Sequence, residues 1–405
     1  MDQAADLHWL FLDLNSYFAS VEQQLHPEWR GRPVAVVPSL VDTTCCIAAS
    51  YEAKAFGIKT GTLVAEARLR CPSIQFVAGR HDVYAEFHHR IVAAVDSCVP
   101  IERIMSIDEV ACRLTGSQTD EAVAVALAKR IKRTIFDRVG SQMRCSIGLA
   151  PNRYLAKVAG EMQKPDGLTV LHRWDLPQKL HSLSIQDLPG IGPRMAAHLR
   201  ERGVSDMPQL CALDSEAMRR LWGGVWGERM HAWLRGVDVE MPETSHHSLG
   251  HSHVLEPARR HRDGAWGVIQ QLTAKAGLRL RRQGLWAGGI SVHVAWMGGG
   301  RWDAHTRLPE TQDTPTLLKA LAGLWQRVPN QKPLRVGMAL SPLINAEHHT
   351  PSLFDNVKRE KLSHAMDRIN ARHGRQTAWY ASLSDEDHQA PTRIAFNRIP
   401  DLADF

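Results

Sequence analysis

The chain has 405 residues, of which 44% are hydrophobic and 23% are charged, and its 7 cysteines form no Cys-x-x-Cys pair. This composition is that of a globular protein with roughly two to four domains, and it excludes a zinc site of the usual spacing. No run approaches the ~18 apolar residues of a membrane span, and no signal peptide is visible. We therefore expect a cytoplasmic monomer without membrane contact.

The formal net charge is +6, but it is unevenly distributed along the chain. Residues 246–345 hold 13 Lys and Arg against 5 Asp and Glu, so the remainder of the chain carries a net negative charge. A segment that holds all the positive excess is the pattern expected of a surface that contacts phosphates. A solvated basic face with no ligand is the alternative.

The N-terminal part of the chain alternates between short apolar runs and helical spacing. An apolar run at 8–12 predicts a buried strand that leads into Asp13, and a helix over 16–25 begins at a cap residue, Asn15 or Ser16. The other elements expected here are strands at 33–38, 45–49, 74–77, 101–114 (two strands around Ser106) and 144–149, and helices at 51–57, 63–71, 81–97, 119–139 (capped by Thr119) and 152–162. This is the βαββαβ order, interrupted by an insertion at about 23–80.

From about Trp174 the pattern changes to short helices with glycine-rich turns, and residues 242–245 predict a linker. A small α+β domain follows at 246–345. Its expected elements are strands at 248–255, 289–297 and 334–343 and helices at 263–283 and 315–328. The tail, 346–405, is polar and rich in histidine, with one helical stretch at 357–372.

Three carboxylates are the strongest candidates for chemistry. Asp13 ends the first strand, while Asp108 and Glu109 lie in the hairpin after the apolar run 101–107. In a βαββαβ sheet the first strand can lie beside that hairpin, so the three side chains would converge. Crowded carboxylates raise each other's pKa, and Mg²⁺ relieves the repulsion. A turn-capping aspartate and two solvated hairpin acids are the alternative.

Five sequence motifs follow one another along this part of the chain. They are Asp13-Leu-Asn-Ser-Tyr-Phe-Ala-Ser-Val-Glu22, Ser50-Tyr-Glu-Ala-Lys-Ala-Phe-Gly57, Ser106-Ile-Asp-Glu-Val110, Ser146-Ile-Gly-Leu-Ala-Pro-Asn152 and the run 157–167, which ends in Lys164-Pro-Asp-Gly. In residue identity, order and spacing they resemble the motifs of the Y-family translesion DNA polymerases, and those of the DNA polymerase IV (DinB-like) branch above all. The resemblance covers roughly residues 8–345.

The resemblance implies an α+β, multi-domain right-hand polymerase. Its domains would be a βαββαβ palm at 1–22 and 81–173, small fingers at 23–80, a helical thumb with a helix-hairpin-helix at 174–240, an α+β little finger at 246–345 and a C-terminal tail at 346–405. The implied activity is template-directed addition of deoxynucleotides to a primer 3′ end. Lesion bypass, low fidelity and the lack of proofreading belong to the same expectation.

The resemblance also assigns the acids. Asp13, Asp108 and Glu109 correspond to the family's metal-binding acids, and the Leu14 carbonyl is expected to be a further ligand. Two Mg²⁺ ions, which Mn²⁺ can replace, would activate the primer 3′-hydroxyl and stabilise the leaving pyrophosphate. The partners implied are primer-template DNA and a deoxynucleoside triphosphate.

A nucleotide pocket is implied beside the acids. Phe18 falls at the steric-gate position, where an aromatic ring excludes a ribose 2′-hydroxyl, and Tyr17 lies beside it. The alternative for Phe18 is a core aromatic of the first helix, a role for which Tyr17 is the better candidate. Tyr51, Lys54 and Lys164 fall where the family contacts the triphosphate.

Two positions in this pocket depart from the family pattern. Ala48 stands where the family commonly has Ser or Thr, so one phosphate-binding hydroxyl is missing. Lys54 stands where the family often has Arg, which removes a bidentate donor. Both changes are expected to weaken nucleotide binding without abolishing it.

Two further segments are implied to contact DNA. The run Leu188-Pro-Gly-Ile-Gly-Pro193 resembles a helix-hairpin-helix turn, in which Gly190 and Gly192 would let backbone amides approach a phosphate. A tight interhelical turn without a ligand is the alternative. The basic segment corresponds in position to the little finger, and the arginines expected to grip the duplex there are Arg259, Arg260, Arg262, Arg279, Arg281 and Arg282.

The tail contains Thr350-Pro-Ser-Leu-Phe354, which resembles the peptide by which these polymerases bind the sliding clamp. Leu353 and Phe354 would supply its apolar anchors, although Thr350 replaces the usual Gln.

Two other functions stay open for the whole chain. One is a catalytically weak relative that acts as a DNA-binding accessory in damage-induced mutagenesis, and the other is a helix-hairpin-helix DNA-repair or nuclease protein that is not a polymerase.

Overall fold

The computed structural model of the chain describes residues 6–240, 247–350, 357–374, 377–381, 383, 394 and 399. These residues fall into two compact units. The first unit comprises Met1–Met241 and Thr392–Phe405, and the second comprises Pro242–Pro391. Within the described part of the chain, no helix is long and apolar enough to cross a membrane.

The first unit contains two β-sheets and a series of helices. Its strands are β1 (Trp9–Leu14), β2 (Val34–Val37), β3 (Ala48–Ala49), β4 (Gln75–Ala78), β5 (Arg103–Ile104), β6 (Glu109–Arg113), β7 (Cys145–Ala150) and β8 (Leu168–Val170). Its helices are α1 (Tyr17–Leu25), α2 (Tyr51–Lys54), α3 (Val64–Arg70), α4 (His81–Asp96), α5 (Glu121–Arg138), α6 (Arg153–Met162), α7 (Pro193–Glu201), α8 (Met207–Ala212), α9 (Ser215–Trp222) and α10 (Val225–Trp233).

The larger sheet has the strand order β5-β6-β1-β7-β8. Strand β1 is antiparallel to both β6 and β7, as the βαββαβ pattern predicts, and β8 extends the sheet beside β7 in the parallel direction. The sequence pattern did not reveal β8, because its three residues are only half-buried and show no apolar alternation. The smaller sheet, β3-β2-β4, lies in the predicted insertion and packs with α2 and α3 around its own apolar core.

The central strand β1 is buried along its whole length, because each of its faces packs against a different core. Leu10 and Leu12 belong to the core that includes residues of α4 and α5. Trp9 and Phe11 belong to the core that includes residues of α6 and α7. Since side chains alternate along a strand, Asp13 lies on the same face as Trp9 and Phe11.

Two helix starts, those of α5 and α1, differ from the expected capping. Asp120, not Thr119, caps α5, and its carboxylate accepts hydrogen bonds from Ala122 N and Val123 N. Ser16 precedes α1 in a left-handed conformation with φ 49° and makes no side-chain cap. The Asn15 side chain does not cap α1 either, because it bonds to Ser146 Oγ and Asp166 N. The predicted caps of α1 and α5 were therefore wrong.

The helices α7–α10 are joined to the central sheet through the start of α6. The Asn152 side chain caps α6 by accepting from Leu155 N, and its amide donates to the carbonyls of Trp233 (2.9 Å) and Val237 (3.1 Å). The buried Trp233 ring stacks on Tyr154, with 5.1 Å between ring centroids. These contacts set the helical segment against α6.

The second unit is a sheet with helices on one face. Its strands are β9 (Leu249–Val254), β10 (Leu285–Trp296), β11 (Arg301–Thr311), β12 (Pro333–Leu340) and β13 (Leu343–Asn345), and its helices are α11 (Arg262–Arg282), α12 (Thr314–Trp325) and α13 (Val357–His373). The order β11-β10-β12-β9 leaves β11 at an edge. The sequence pattern missed β11 because alternate residues of this polar edge strand are exposed.

Helix α13, which the sequence placed in the tail, packs into the second unit. Arg281 of α11 forms a two-pronged ion pair with Asp367 of α13, at 2.6 and 2.9 Å. The buried Ser363 hydroxyl contacts Tyr380 (2.8 Å) and Asp313 (3.4 Å). The part of the tail that follows β13 therefore contributes to the packing of this unit.

The approach of α6 to β7 gives a stability prediction. A Cβ at Gly148 would lie 2.0 Å from the Ala156 carbonyl oxygen, so Gly148→Ala should lower the free energy of unfolding of the first unit by about 1–3 kcal/mol. Urea unfolding monitored by circular dichroism measures this change.

Gly160→Ala is the matched control on the facing helix. Its Cβ would meet no atom closer than 3.5 Å, and alanine is the better helix former by about 1 kcal/mol, so this variant should be at least as stable as the wild type. Equal stability of the two variants would contradict the close-packing argument.

Candidate active site

The strand pairing brings two of the predicted acids together. Asp13 of β1 is the register partner of Glu109 of β6, so their side chains lie on the same face of the sheet. Asp108 lies just before β6, where its carbonyl accepts from Leu14 N (2.9 Å) and its carboxylate accepts from Ser106 Oγ (2.6 Å). All three acids are thus at one end of the central sheet, as the sequence predicted.

Two lysines contact these acids. Lys164 Nζ donates to Asp13 Oδ1 (2.7 Å) and to Glu161 Oε1 (2.6 Å). Lys157, on α6, is paired with Glu109. The sequence reasoning assigned Lys164 to the triphosphate and gave Lys157 no role, because the pairing depends on contacts between residues far apart in the chain.

Burial controls the charge of Asp13, which is 8% exposed. Burial raises the pKa of Asp13 to about 7, Lys164 opposes that shift, and Glu161 and Asp108 add to it. Burial lowers the pKa of Lys164, but its contacts with Asp13 and Glu161 outweigh this effect, and the net shift is upward. Positive charge in addition to that of Lys164 would favour the carboxylate form of Asp13.

The oxygen donors of the three acids suit Mg²⁺ in their chemistry. Their spacing does not yet form a metal site, because no group of three His, Cys, Asp or Glu side chains among the described residues is close enough to hold an ion. Lys157 and Lys164 supply positive charge beside Glu109 and Asp13. That Asp13, Asp108 and Glu109 hold a metal ion, with the Leu14 carbonyl as a further ligand, stays a prediction.

Ser16 is a residue of this region that the sequence reasoning treated only as a helix cap. Its Oγ is buried without a hydrogen-bond partner, and its backbone is in the left-handed region at φ 49°. Unpaired buried hydroxyls and strained non-glycine residues are uncommon, and both occur preferentially at functional sites. Ser16 is only three residues after Asp13, which fits a site that is completed by a polar ligand.

The two aromatic residues of α1 have different surroundings. Tyr17 is buried, and its hydroxyl donates to the Tyr84 carbonyl (2.6 Å). The hydroxyl is thus bonded inside the core, as expected of a core aromatic, and the assignment of Tyr17 to the nucleotide pocket stays a prediction. Phe18 is half-buried and stacks on the Tyr84 ring, with 4.4 Å between centroids and 15° between planes. Its position remains compatible with a gate at the surface of the pocket.

Tyr51 and Lys54 lie together on α2. Lys54 Nζ is 4.3 Å from the centroid of the Tyr51 ring. Burial and then the charge of Lys164 lower the pKa of Lys54, while Asp13 and Glu161 oppose that shift. An anionic ligand near Lys54 would favour its charged form. Ala48, on the neighbouring strand β3, offers no hydroxyl for such a ligand.

A cleft of about 790 Å³ lies between Glu109 and the predicted helix-hairpin-helix turn. It is lined by Glu109, Lys157 and Glu161 on one side and by the turn 188–192 on the other. Gly190 has φ 89°, which disfavours any other residue, and Gly192 precedes α7 without a side-chain cap. A Cβ at either glycine would meet no atom within 4 Å, so the backbone of the turn is open to a ligand.

Three of the arginines predicted to grip DNA are used inside the second unit. Arg260 is buried and donates to the Leu255 carbonyl. The Arg262 guanidinium donates to the carbonyls of Trp325 and Val328. The Arg281 side chain is 4% exposed and pairs with Asp367. The donors of these three residues bond to backbone carbonyls and a carboxylate, and their contact with DNA stays a prediction. Arg282 is exposed and Arg259 is half-buried.

The sheet face opposite α11 and α12 carries arginines that the sequence reasoning did not single out, and Asp303 on the same face pairs with Arg301 (3.1 Å). Register pairs alternate along β10, β11 and β12, so Arg301, Arg307 and Arg335 point away from the helices and are exposed. Small residues lie between them, and a Cβ at Gly337 would collide with the His293 ring at 2.0 Å. We name this arrangement, with Ser291, Ala295 and Ala339, the outer sheet face.

The clamp-like residues Leu353 and Phe354 lie outside the described residues. The chain just before them is held in the second unit, because Glu310 accepts hydrogen bonds from His349 Nδ1 (2.8 Å) and Thr350 N (3.1 Å). The His349 ring also stacks on Trp286, with 4.4 Å between centroids.

Two family descriptions match the sequence. Residues 12–161 match the impB/mucB/samB family, and residues 246–353 match the impB/mucB/samB family C-terminal domain. The DNA polymerase IV of Moorella thermoacetica is 36% identical over 387 residues, which are 92% of this chain and 94% of that protein. The DNA polymerase IV of Pelotomaculum thermopropionicum is 32% identical over 90% of this chain and 92% of its own length.

Solved structures resemble the fold. A chimera of the Y-family DNA polymerases Dbh and Dpo4 has a TM-score of 0.69 at 22% identity, covering 83% of this chain and 99% of the chimera. DinB from Sulfolobus solfataricus has a TM-score of 0.53 at 22% identity over the same shares of the two chains. These likenesses show an α+β polymerase fold. Together with the full-length relatives, they show that the chain belongs to the DinB-like branch of the Y family of DNA-directed DNA polymerases.

Proposed function

We propose that the chain adds deoxynucleotides to a primer 3′ end on a DNA template, including templates with damaged bases, at the site formed by Asp13, Asp108 and Glu109. The observation that carries the proposal is the pairing of Asp13 with Glu109 on one sheet face, with Asp108 beside them. A buried carboxylate with a raised pKa in such a cluster is suited to holding divalent cations.

The proposed mechanism rests on two bound Mg²⁺ ions, which would activate the 3′-hydroxyl and stabilise the leaving pyrophosphate. The chain's own residues bind and orient the reactants. Lys54 and Lys164 would contact triphosphate oxygens, which relieves the repulsion between their ammonium groups. Phe18 would lie against the sugar and exclude a 2′-hydroxyl. The Lys164 contact with Asp13 holds this lysine at the metal site while no triphosphate is bound.

DNA is proposed to bind without sequence preference in two places. The cleft between α6 and the turn 188–192 would take the primer strand, whose phosphates meet the open backbone at Gly190 and Gly192. The outer sheet face would contact a duplex backbone, because its small residues allow close approach and its arginines supply charge. One related structure is described as an insertion ternary complex of Dbh DNA polymerase.

The remaining parts of the proposal rest on the sequence. A monomeric, cytoplasmic enzyme with low fidelity and without proofreading is proposed. A sliding clamp is the proposed partner of Leu353 and Phe354. A Leu353→Ala/Phe354→Ala variant should be retained less than the wild type on immobilised clamp, and undiminished retention would reject this contact.

A catalytically weak accessory is the second candidate, because Ala48 and Lys54 both reduce the donors available to a triphosphate.

The Asp108→Ala variant tests the catalytic proposal. It should bind primer-template DNA like the wild type but extend it at least about 10²-fold more slowly, since a metal-binding charge is lost. Primer extension with Mg²⁺ on undamaged and lesion-bearing templates measures the rate. Asp137→Ala, which removes a carboxylate that pairs only with Arg133 on α5, should extend normally. A wild-type protein that binds DNA and adds no nucleotide would support the accessory role instead.

The Phe18→Ala variant tests the sugar gate. Removing the ring should raise kcat/KM for ribonucleotides relative to deoxynucleotides by about 10- to 100-fold, because the steric clash with the 2′-hydroxyl is lost. Single-nucleotide incorporation assays with matched substrates measure this ratio. Phe136→Ala, at an exposed ring on α5, is the control and should leave the ratio unchanged. An unchanged ratio for Phe18→Ala would reject the gate role of Phe18.

Salt dependence tests the outer sheet face. Replacing Arg307 and Arg335 with alanine should lower the slope of log Kd against log salt concentration by about 1 for each phosphate contact removed. Fluorescence anisotropy with a labelled duplex measures the slope. Arg327→Ala removes an exposed arginine beyond α12, on the other side of the sheet, and should leave it unchanged. Identical slopes for all variants would exclude this face from DNA binding.

A further inference from the structure

Lys164 is carried by a short turn between a helix and an edge strand. Residues 163–167 connect the end of α6 to the start of β8, and we call them the lysine turn. Lys164 Nζ contacts Asp13 Oδ1 from this turn and is proposed to bind the triphosphate. A lysine side chain is long and flexible, so the place of its ammonium group depends on how firmly its backbone is held.

The backbone of the lysine turn has a demanding conformation. Asp166 has φ 57°, in the left-handed region that few residues other than glycine adopt. At the next position, a Cβ on Gly167 would lie 1.8 Å from the Gln163 carbonyl oxygen, so the two ends of the turn are in contact. A backbone of this kind persists only where surrounding contacts hold it.

Two buried side chains hold the turn against the end of the central sheet. Asn15, which follows β1, accepts a hydrogen bond from Asp166 N at 2.7 Å. Ser146, the register partner of Asp13 on β7, donates to the Gln163 carbonyl (3.2 Å) and accepts from Gly167 N (3.3 Å). The turn is therefore tied to the same strands that position Asp13.

A further contact comes from the other face of the sheet. Lys132 is on α5, which packs against the face of β1 opposite to α6. Its Nζ donates to the Asp166 carbonyl (2.6 Å) and to Asp166 Oδ1 (2.8 Å). The Lys132 side chain is 19% exposed and that of Asp166 is 45% exposed, so water screens part of the ionic attraction. The bond to the carbonyl restrains the main chain of the turn directly.

We propose that Lys132 is a positioning residue for triphosphate binding, which fixes the lysine turn from the far face of the sheet and thereby the place of Lys164. The proposal rests on the triphosphate contact of Lys164 given under the proposed function. Lys132 acts through Asp166 and need not touch the nucleotide. Its loss leaves the acids and the contacts of Asn15 and Ser146 in place, so polymerisation continues with weaker nucleotide binding.

Single-turnover primer extension at increasing deoxynucleotide concentration separates this role from a purely structural one. The experiment gives the Kd of the nucleotide and the maximal rate of its incorporation. A lower fraction of folded protein reduces the amount of primer extended but changes neither quantity. A displaced Lys164 raises the Kd, because the triphosphate loses a contact.

Two substitutions of Lys132 carry the test. Lys132→Met removes the ammonium group and keeps an unbranched side chain, and it should raise the nucleotide Kd by about fivefold or more. Lys132→Arg should retain most of the affinity, because a guanidinium can donate to both oxygens of Asp166. Lys129→Met, at an exposed lysine one turn earlier on α5, is the matched control and should leave the Kd at the wild-type value.

A second background shows whether Lys132 acts through Lys164. In a Lys164→Ala protein, adding Lys132→Met should raise the Kd no further, because the two changes remove the same contact. An equal increase in both backgrounds, or a Kd for Lys132→Met that matches that of Lys129→Met, would overturn the proposal. If Lys132→Met does not fold, Lys132→Gln replaces it under the same criteria. A wild-type protein that extends no primer would instead contradict the polymerase function itself.

Discussion

The carboxylate of Asp13 is buried at the end of a central strand, and the arrangement around it compensates for the cost of that burial. A charged group in such a place is stabilised by a nearby cation, and Lys164 opposes the upward shift that burial gives the pKa of Asp13. Glu109 is next to it through the strand register, and Asp108 adds further negative charge. The sheet thus concentrates negative charge at the end where we propose that the metal ions and the triphosphate bind.

Lysines connect this charge cluster with the surrounding elements. Lys157 comes from α6, and Lys164 follows the same helix, so the contact of α6 with β1 and β7 places both ammonium groups. That contact is close because glycine at position 148 lets the backbone of α6 approach the strand. The close packing at Gly148 therefore determines where positive charge lies in the site.

Local sequence patterns were sufficient to predict the elements that carry the acids. Strand β1 and the hairpin before Glu109 are apolar runs bounded by polar residues, and α4, α5 and α6 have clear helical spacing, so short-range information determines them. The features that local patterns did not reveal depend on long-range contacts. Arg281 was expected to contact DNA because its partner, Asp367, is 86 residues away in a helix that the sequence analysis assigned to the tail. Strand β11 was missed because an edge strand with one solvent-facing side needs no apolar run.

Ile394 and Ile399 pack against the same apolar core as β1, α1, α4 and α5. Both residues belong to the first unit, although the second unit, Pro242–Pro391, separates them in sequence from the rest of that core. Contacts between residues so far apart in sequence form slowly, because a long loop has to close first. We therefore expect this core to reach its full packing only after the chain of the second unit has been synthesised.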